Sequence, residues 1–219
     1  MIKANASVQV VLAELRSGIQ MGRYAPGQRL ITSELAEHLK TSLAPVREAL
    51  HILIGEGLVE MHPNRGARVR ALNTQTFIDG LQVLEVIGAL ALQLIGPKLK
   101  KPKIRADIEQ ALKAIYEGGR RRNVHAFFGA IADSHRLVND YCGNAYLNPI
   151  LNRIHLEYFY RQMADLLPDD FWEQYIENYR RTGGLLVSGD AAGAERAWRK
   201  HVQWVIGLIA RHGNAGADQ

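Results

Sequence analysis

Apolar residues recur at helical spacing over most of the chain and alternate at strand spacing only once. Val8, Val11, Leu12, Leu15 and Ile19 share one face and predict a helix over 6–21, which the Gly and Pro of "GRYAPGQRL" end. A short helix follows at 33–39, with Thr32 as N-cap and Leu35, Ala36 and Leu39 turned inward. In "TSLAPVREALHILIGEGLVE", residues 41–60, Thr41 or Ser42 can cap a third helix, and Pro45 falls in the first turn, where its missing N–H costs nothing. Val46, Ala49, Leu50 and Leu53 then face a core, while Leu43, Arg47 and His51 lie four apart on the opposite face. Next, apolar residues at 59, 61, 67, 69 and 71 alternate around Pro-Asn-Arg-Gly and predict a two-stranded hairpin. Arg65, Arg68 and Arg70 decorate it, with no acid between 61 and 70.

From Asn73 onward the period is helical throughout. Six helices are predicted, at 75–96, 104–119, 123–141, 145–166, 169–187 and 190–212, punctuated by "GPKLKKPK", "GGRRRN", "CGNAYLNP", "LLPDD" and "SGD". Asp190 is a good N-cap for the last. The first is apolar nearly all round (Phe77, Leu81, Leu84, Ile87, Leu90, Leu94), which predicts burial inside a bundle or at a subunit interface. The fold class expected is mostly α: a winged helix–turn–helix over 1–72 (three helices plus a β-hairpin wing), then an all-α bundle over 73–219 that binds an effector and dimerises.

Composition narrows this picture only a little. Apolar content of 47% and charged content of 22% are ordinary for a soluble globular protein. Cys142 stands alone, so no internal disulfide or thiolate cluster is available, which suits a reducing cytoplasm. The apolar run at 86–97 is far short of the roughly 18 residues of a membrane span, and no signal peptide opens the chain, so no membrane partner is expected. Net charge is +5, and positive charge is denser over 1–72, with nine Lys/Arg against six Asp/Glu. That balance allows an anionic partner without requiring one.

A helix–turn–helix followed by a basic hairpin suits duplex DNA. The second helix of the pair fits the major groove with its N-terminal residues at base edges, and the wing lies along the backbone or the minor groove. Arg47 on the outer face can read guanine or hold phosphate. A three-helix-plus-hairpin unit also serves as a protein–protein adaptor, and pattern alone leaves that alternative open.

Residues 25–69, "APGQRLITSELAEHLKTSLAPVREALHILIGEGLVEMHPNRGARV", resemble the winged helix–turn–helix of the GntR family of bacterial transcription regulators. The resemblance rests on Pro26-Gly27, Leu30, Glu34-Leu35-Ala36, Pro45-Val46-Arg47-Glu48-Ala49-Leu50, Leu53, Gly57-Leu58-Val59 and Asn64-Arg65-Gly66. It implies DNA contacts by Arg29, Thr32, Ser33, Thr41, Ser42, Leu43, Ala44, Arg47, Asn64, Arg65 and Gly66. Two positions depart from the family's habit of arginine, namely Ser33 and Leu43. Their loss alters the expected operator, and Leu43 is expected to pack on a thymine methyl.

Residues 75–212 resemble, more distantly, the FCD-type ligand-sensing bundle of the FadR branch, through Glu85, "HRLVNDYCGN" at 135–144 and "SGDAAGAERAWRKHV" at 188–202. Many members of that branch hold a divalent metal through one Asp and three His, completed by a carboxylate effector. Here His135 and His201 match the first and last His, but the middle His position holds Tyr179 and the Asp position holds Ile131. The arginine usual four residues before Glu85 is Leu81. As metal ligands His135 and His201 leave an incomplete site, since Zn, Ni or Mn generally want three or more protein ligands. Asp133 lies on the wrong side of the helix to join them. Three readings remain: a divalent metal on that incomplete site; a metal-free effector pocket at His135, Tyr179, His201 and Asn144, taking a neutral or differently charged molecule or an organic acid; or a bundle that no longer senses anything. His125, His155, Trp198 and Trp204 read as packing or surface residues.

The function expected is a sequence-specific, DNA-binding transcription regulator, a repressor by family habit, acting in the cytoplasm as a homodimer on a palindromic operator. It is not expected to be an enzyme: a His-based site around His135, His201, Tyr179 and Asp133 can be drawn, but no nucleophile elbow, His-Glu-x-x-His or phosphate loop accompanies it. A protein that binds DNA without sequence preference is the other alternative, recognisable by a steep salt slope.

Overall fold

The computed structural model describes residues 7–63, 65–71, 73–156, 158 and 170–212. The chain divides into two compact units, 1–72 and 73–219.

In the first unit, helix α1 (Val8–Gln20) is capped by the Ser7 hydroxyl, which accepts from Val10 N–H, and buries Val11, Leu12, Leu15 and Ile19. Helices α2 (Thr32–His38) and α3 (Leu43–Glu56) follow, α3 burying Val46, Ala49, Leu50 and Leu53 as its spacing requires. Between α2 and α3 the chain reverses at Lys40, which takes a left-handed φ of 51° while Thr41 N–H donates to Ala36 C=O at 2.9 Å. Gly57, with φ of 85°, ends α3 and turns the chain into the wing. On the outside, Arg16 of α1 grips Glu56 at the end of α3 in a two-pronged ion pair, its Nε donating to Oε2 at 3.1 Å.

The wing is a three-stranded antiparallel sheet, order β1-β3-β2, rather than a two-stranded hairpin. Strand β1 (Arg29–Leu30) pairs with β3 (Gly66–Val69), and β3 pairs with β2 (Val59–His62) in the register Val59↔Val69 and Met61↔Ala67. The alternation places Val59, Ala67 and Val69 in the core, but Met61 is 52% exposed and Ala71 lies exposed beyond the strand.

The described part of the second unit comprises α4 (Thr74–Ile95), a 3₁₀ turn (Gly96–Lys100), α5 (Pro102–Arg120), α6 (Val124–Cys142), α7 (Leu147–Ile154), α8 (Phe171–Val187) and α9 (Ala191–His212). Asn73, Asn123 and Asp190 cap α4, α6 and α9, each side-chain oxygen accepting a backbone N–H three residues on. The helix expected over 145–166 stops instead at His155, whose φ of 50° is left-handed; the remainder of that span is mostly outside the described residues.

Helix α4 extends the apolar run seen in the sequence. With the 3₁₀ turn it spans Thr74–Lys100, long and apolar enough to cross a membrane, an 18-residue stretch of it having mean hydropathy 1.6. It is nonetheless a bundle helix, burying Phe77, Leu81, Leu84, Ile87, Leu92 and Ile95. Its Glu85 carbonyl accepts from Trp198 Nε1 of α9 at 3.0 Å, and its carboxylate meets Arg199 and Gln203. Gly88 makes this approach possible, since a Cβ there would sit 2.4 Å from Trp198 Nε1 and 2.6 Å from Cε2. Gly88→Ala is therefore expected to destabilise the bundle by about 1–3 kcal/mol through overpacking, read as a lower urea midpoint.

Candidate nucleic-acid interface and bundle cavity

The turn and α3 present a helix start to solvent. Ser42 occupies the N-cap position in extended conformation, but its hydroxyl makes no capping bond, and the Thr41 hydroxyl is buried without a partner. Both caps expected from the sequence are thus displaced from that role. Thr32 likewise is the first residue of α2, with Ile31 in the cap position.

Without a hydroxyl across them, the first N–H groups of α3 have no side-chain cap, which is the arrangement a helix start uses against phosphate. Ser42, Leu43, Ala44 and Arg47 are exposed, as are Ser33 on α2 and Arg29 and Arg65 beside the wing. Leu43 is 43% exposed. Gly66, with φ of 77°, closes the wing turn, in which Arg65 N–H donates to His62 C=O at 3.1 Å. Asn64 lies outside the described residues. Of the wing's arginines, Arg68 is committed to structure, its Nη1 donating to Gly27 C=O at 2.9 Å and tying β3 to the turn before β1.

In the second unit, α4 to α9 all contribute to the lining of a cavity with about 680 Å³ of atom-free space, its opening to solvent included. Its wall is mainly Leu, Ile, Val, Ala and Gly, with Ser134, His135, Asn139, Tyr179, Thr182 and Trp198 as the side chains with polar atoms. His135 Nε2 and the Tyr179 hydroxyl are in hydrogen-bond contact at 2.9 Å. His201 is not on this wall. It is buried behind it, edge-on to Tyr175 (4.5 Å) and Tyr179 (5.0 Å) and tilted against Trp198 (5.7 Å). Asn144 is not on the wall either; it holds the turn after α6, its Oδ1 accepting from Tyr146 N–H at 3.1 Å.

Burial pushes the His135 imidazole down to about 4, with the Arg136 charge adding to it. Burial again, with His135 as the second cause, pushes His201 down to about 3. Both rings are neutral at pH 7. The Nδ1 atom of each is buried without a hydrogen-bond partner.

The donor set does not fit the metal that the resemblance implies. Ile131 is buried and apolar at the acid's position, and Tyr179, a phenol rather than an imidazole, engages His135 Nε2. Asp133 is exposed and paired with Arg136 at 2.8 Å, and among the described residues no three His, Cys, Asp or Glu converge.

Sequence reasoning missed Ser134, Asn139 and Thr182. The available signal was position: Ser134 shares the inward stripe of α6 with Phe127, Ile131 and Cys142, so a polar residue there needed a partner or a cavity.

Comparison with known proteins agrees with both halves. Residues 7–69 match the family described as bacterial regulatory proteins, gntR family, and residues 79–203 match the FCD domain. The chain is 31% identical over 202 residues to a probable D-xylose utilization operon transcriptional repressor of Paenarthrobacter nicotinovorans, covering 91% of this chain and 87% of that one. It is 22% identical over 207 residues to the HTH-type transcriptional regulator McbR of Escherichia coli (strain K12), covering 92% and 91%. The solved structure of E. coli McbR/YncC superposes with a TM-score of 0.78 at 19% identity, covering 93% of this chain and 97% of that one, and so shares the fold.

Proposed function

We infer that this chain, which belongs to the GntR family of bacterial regulatory proteins and carries an FCD domain, represses transcription from a two-fold-symmetric operator and is released by a small molecule bound in its helical bundle. Membership makes it a DNA-binding transcription regulator with an effector-binding domain, a family whose members are generally not enzymes. The observation that carries the finer reading is the uncapped, exposed start of α3, with Leu43, Ala44 and Arg47 in water beside Arg29 and Arg65.

One such helix reads too few base pairs for an operator, so two copies on a palindrome are needed. An exposed apolar stripe on α4 (Val83, Val86 and Leu90) supports pairing through the bundle, because monomers rarely leave such a stripe uncovered. Effector occupancy then shifts DNA affinity by its differential contacts with two arrangements of the dimer. Operator DNA as partner places the protein in the cytoplasm. The sugar named for the P. nicotinovorans relative is not carried over, since a polyol needs many more polar partners than this cavity holds.

Selection of bound duplexes from a random pool at near-physiological salt tests the reading. A palindrome with fixed half-site spacing is expected. A pool that binds with a steep salt slope yet never converges would instead mark a protein that holds DNA without reading it.

A further inference from the structure

We propose that the bundle cavity takes an uncharged, largely apolar small molecule with one or two hydrogen-bonding groups, and that it does so without a metal ion. The proposal rests on the effector-sensing reading above and adds the chemical class.

Among the described residues no Lys, Arg, Asp or Glu lines the cavity, so none of them compensates a ligand's charge. A carboxylate entering it would give up its hydration for apolar walls and the neutral His135 imidazole, with no opposite charge in return. The position four residues before Glu85, where an arginine could reach an acid, is Leu81, and Leu81 is buried.

The polar groups present are oriented by one another. Ser134 Oγ donates to Ile131 C=O at 2.7 Å, and Thr182 Oγ1 donates to Asn178 C=O at 2.9 Å. Trp198 Nε1 donates to Glu85 C=O, and Asn139 Nδ2 donates to Asn148 Oδ1 at 3.0 Å. With their protons engaged by the wall, the two hydroxyls keep lone pairs, while the second Asn139 amide proton and the one proton that the His135–Tyr179 bond leaves over remain to donate. A ligand hydroxyl or amide attached to an apolar body, neutral and able both to donate and to accept, matches that set; a carboxylate matches neither the hydroxyl lone pairs nor the absence of a cation.

Full-length protein is titrated by calorimetry with three probes, 4-phenyl-1-butanol, 4-phenylbutyrate and D-xylose, each with and without added Zn²⁺. The alcohol is expected to bind at least about tenfold more tightly than either other probe, with no effect of Zn²⁺. Thr182→Val, nearly isosteric, is expected to weaken the alcohol by roughly three- to tenfold. Val138→Phe, which narrows the cavity, is expected to abolish binding while circular dichroism and DNA binding confirm a folded chain. Equal or tighter binding of the carboxylate, or binding that requires Zn²⁺, overturns the proposal and leaves the sensor reading standing. Binding unchanged in both variants places the probe elsewhere and overturns it too. A bundle that takes none of the probes, with or without Zn²⁺, overturns the proposal together with the sensor reading.

Discussion

At pH 5 the helical bundle is expected to be about 4 kcal/mol less stable than at pH 7, roughly 2 kcal/mol from each of two buried imidazoles. His135 and His201 sit at about 4 and about 3 in the folded chain, against 6.5 for an ordinary histidine. Between those values the unfolded chain binds protons that the native bundle refuses, so stability falls as pH falls. The loss begins near pH 6.5, runs down to the folded-state values and is absent above the ordinary value. Asp107 and Glu195 are held below their usual range by hydrogen bonds, from Tyr141 and Gln93 respectively, so what they contribute is lost at lower pH. Urea melts at pH 7, 6 and 5 check this, and His135→Gln should remove about half of the slope. A flat profile would mean that the two rings take up protons in the native state, and would restore the case for an anion beside them.

The same two rings show how far the sequence could be read. Their matching to the family's metal-binding positions is visible in "HRLVNDYCGN" and "ERAWRKHV", and so is the loss of the other ligands at Ile131 and Tyr179. Which ring faces a cavity is not visible, because both lie on inward helix stripes; only packing puts His135 on the wall and His201 behind Tyr175 and Tyr179. Long elements were legible because thirteen or more residues at one period leave little ambiguity, as in α1, α3 and α4. A strand of two residues, Arg29–Leu30, carries no period and was silent. The break at His155 was silent as well, because "NRIHLEYF" contains no glycine or proline to announce a left-handed residue. Cap chemistry located the start of α3 to within a residue but not the bond: a Ser at N-cap is favoured on average, and here its hydroxyl is not used.

That unused hydroxyl bears on the last and largest effect. Arg47→Ala is expected to weaken operator binding by about 1–3 kcal/mol per half-site, hence by roughly thirtyfold or more for a dimer on its palindrome. Arg47 is one turn past the start of α3 on the exposed side, in line with Leu43 and His51, and no hydrogen bond or ion pair inside the protein is recorded for it among the described residues. Removing it therefore leaves the fold intact, and unchanged urea melts would confirm that the loss is at the interface. Two roles for Arg47 separate in the salt dependence. A phosphate contact lowers the slope by about one per copy and weakens all sequences alike, whereas a guanine contact keeps the slope and relaxes preference at one base pair of each half-site. Leu43 gives the complementary test, since an apolar side chain can read only a methyl. Leu43→Arg is expected to move preference from thymine towards guanine at the neighbouring position while adding to the salt slope. Mobility shifts on the selected operator and on single-base variants measure both. Should Arg47→Ala bind the operator as tightly as the unaltered chain, α3 is not the element that enters the groove, and the recognition surface has to be sought in the wing.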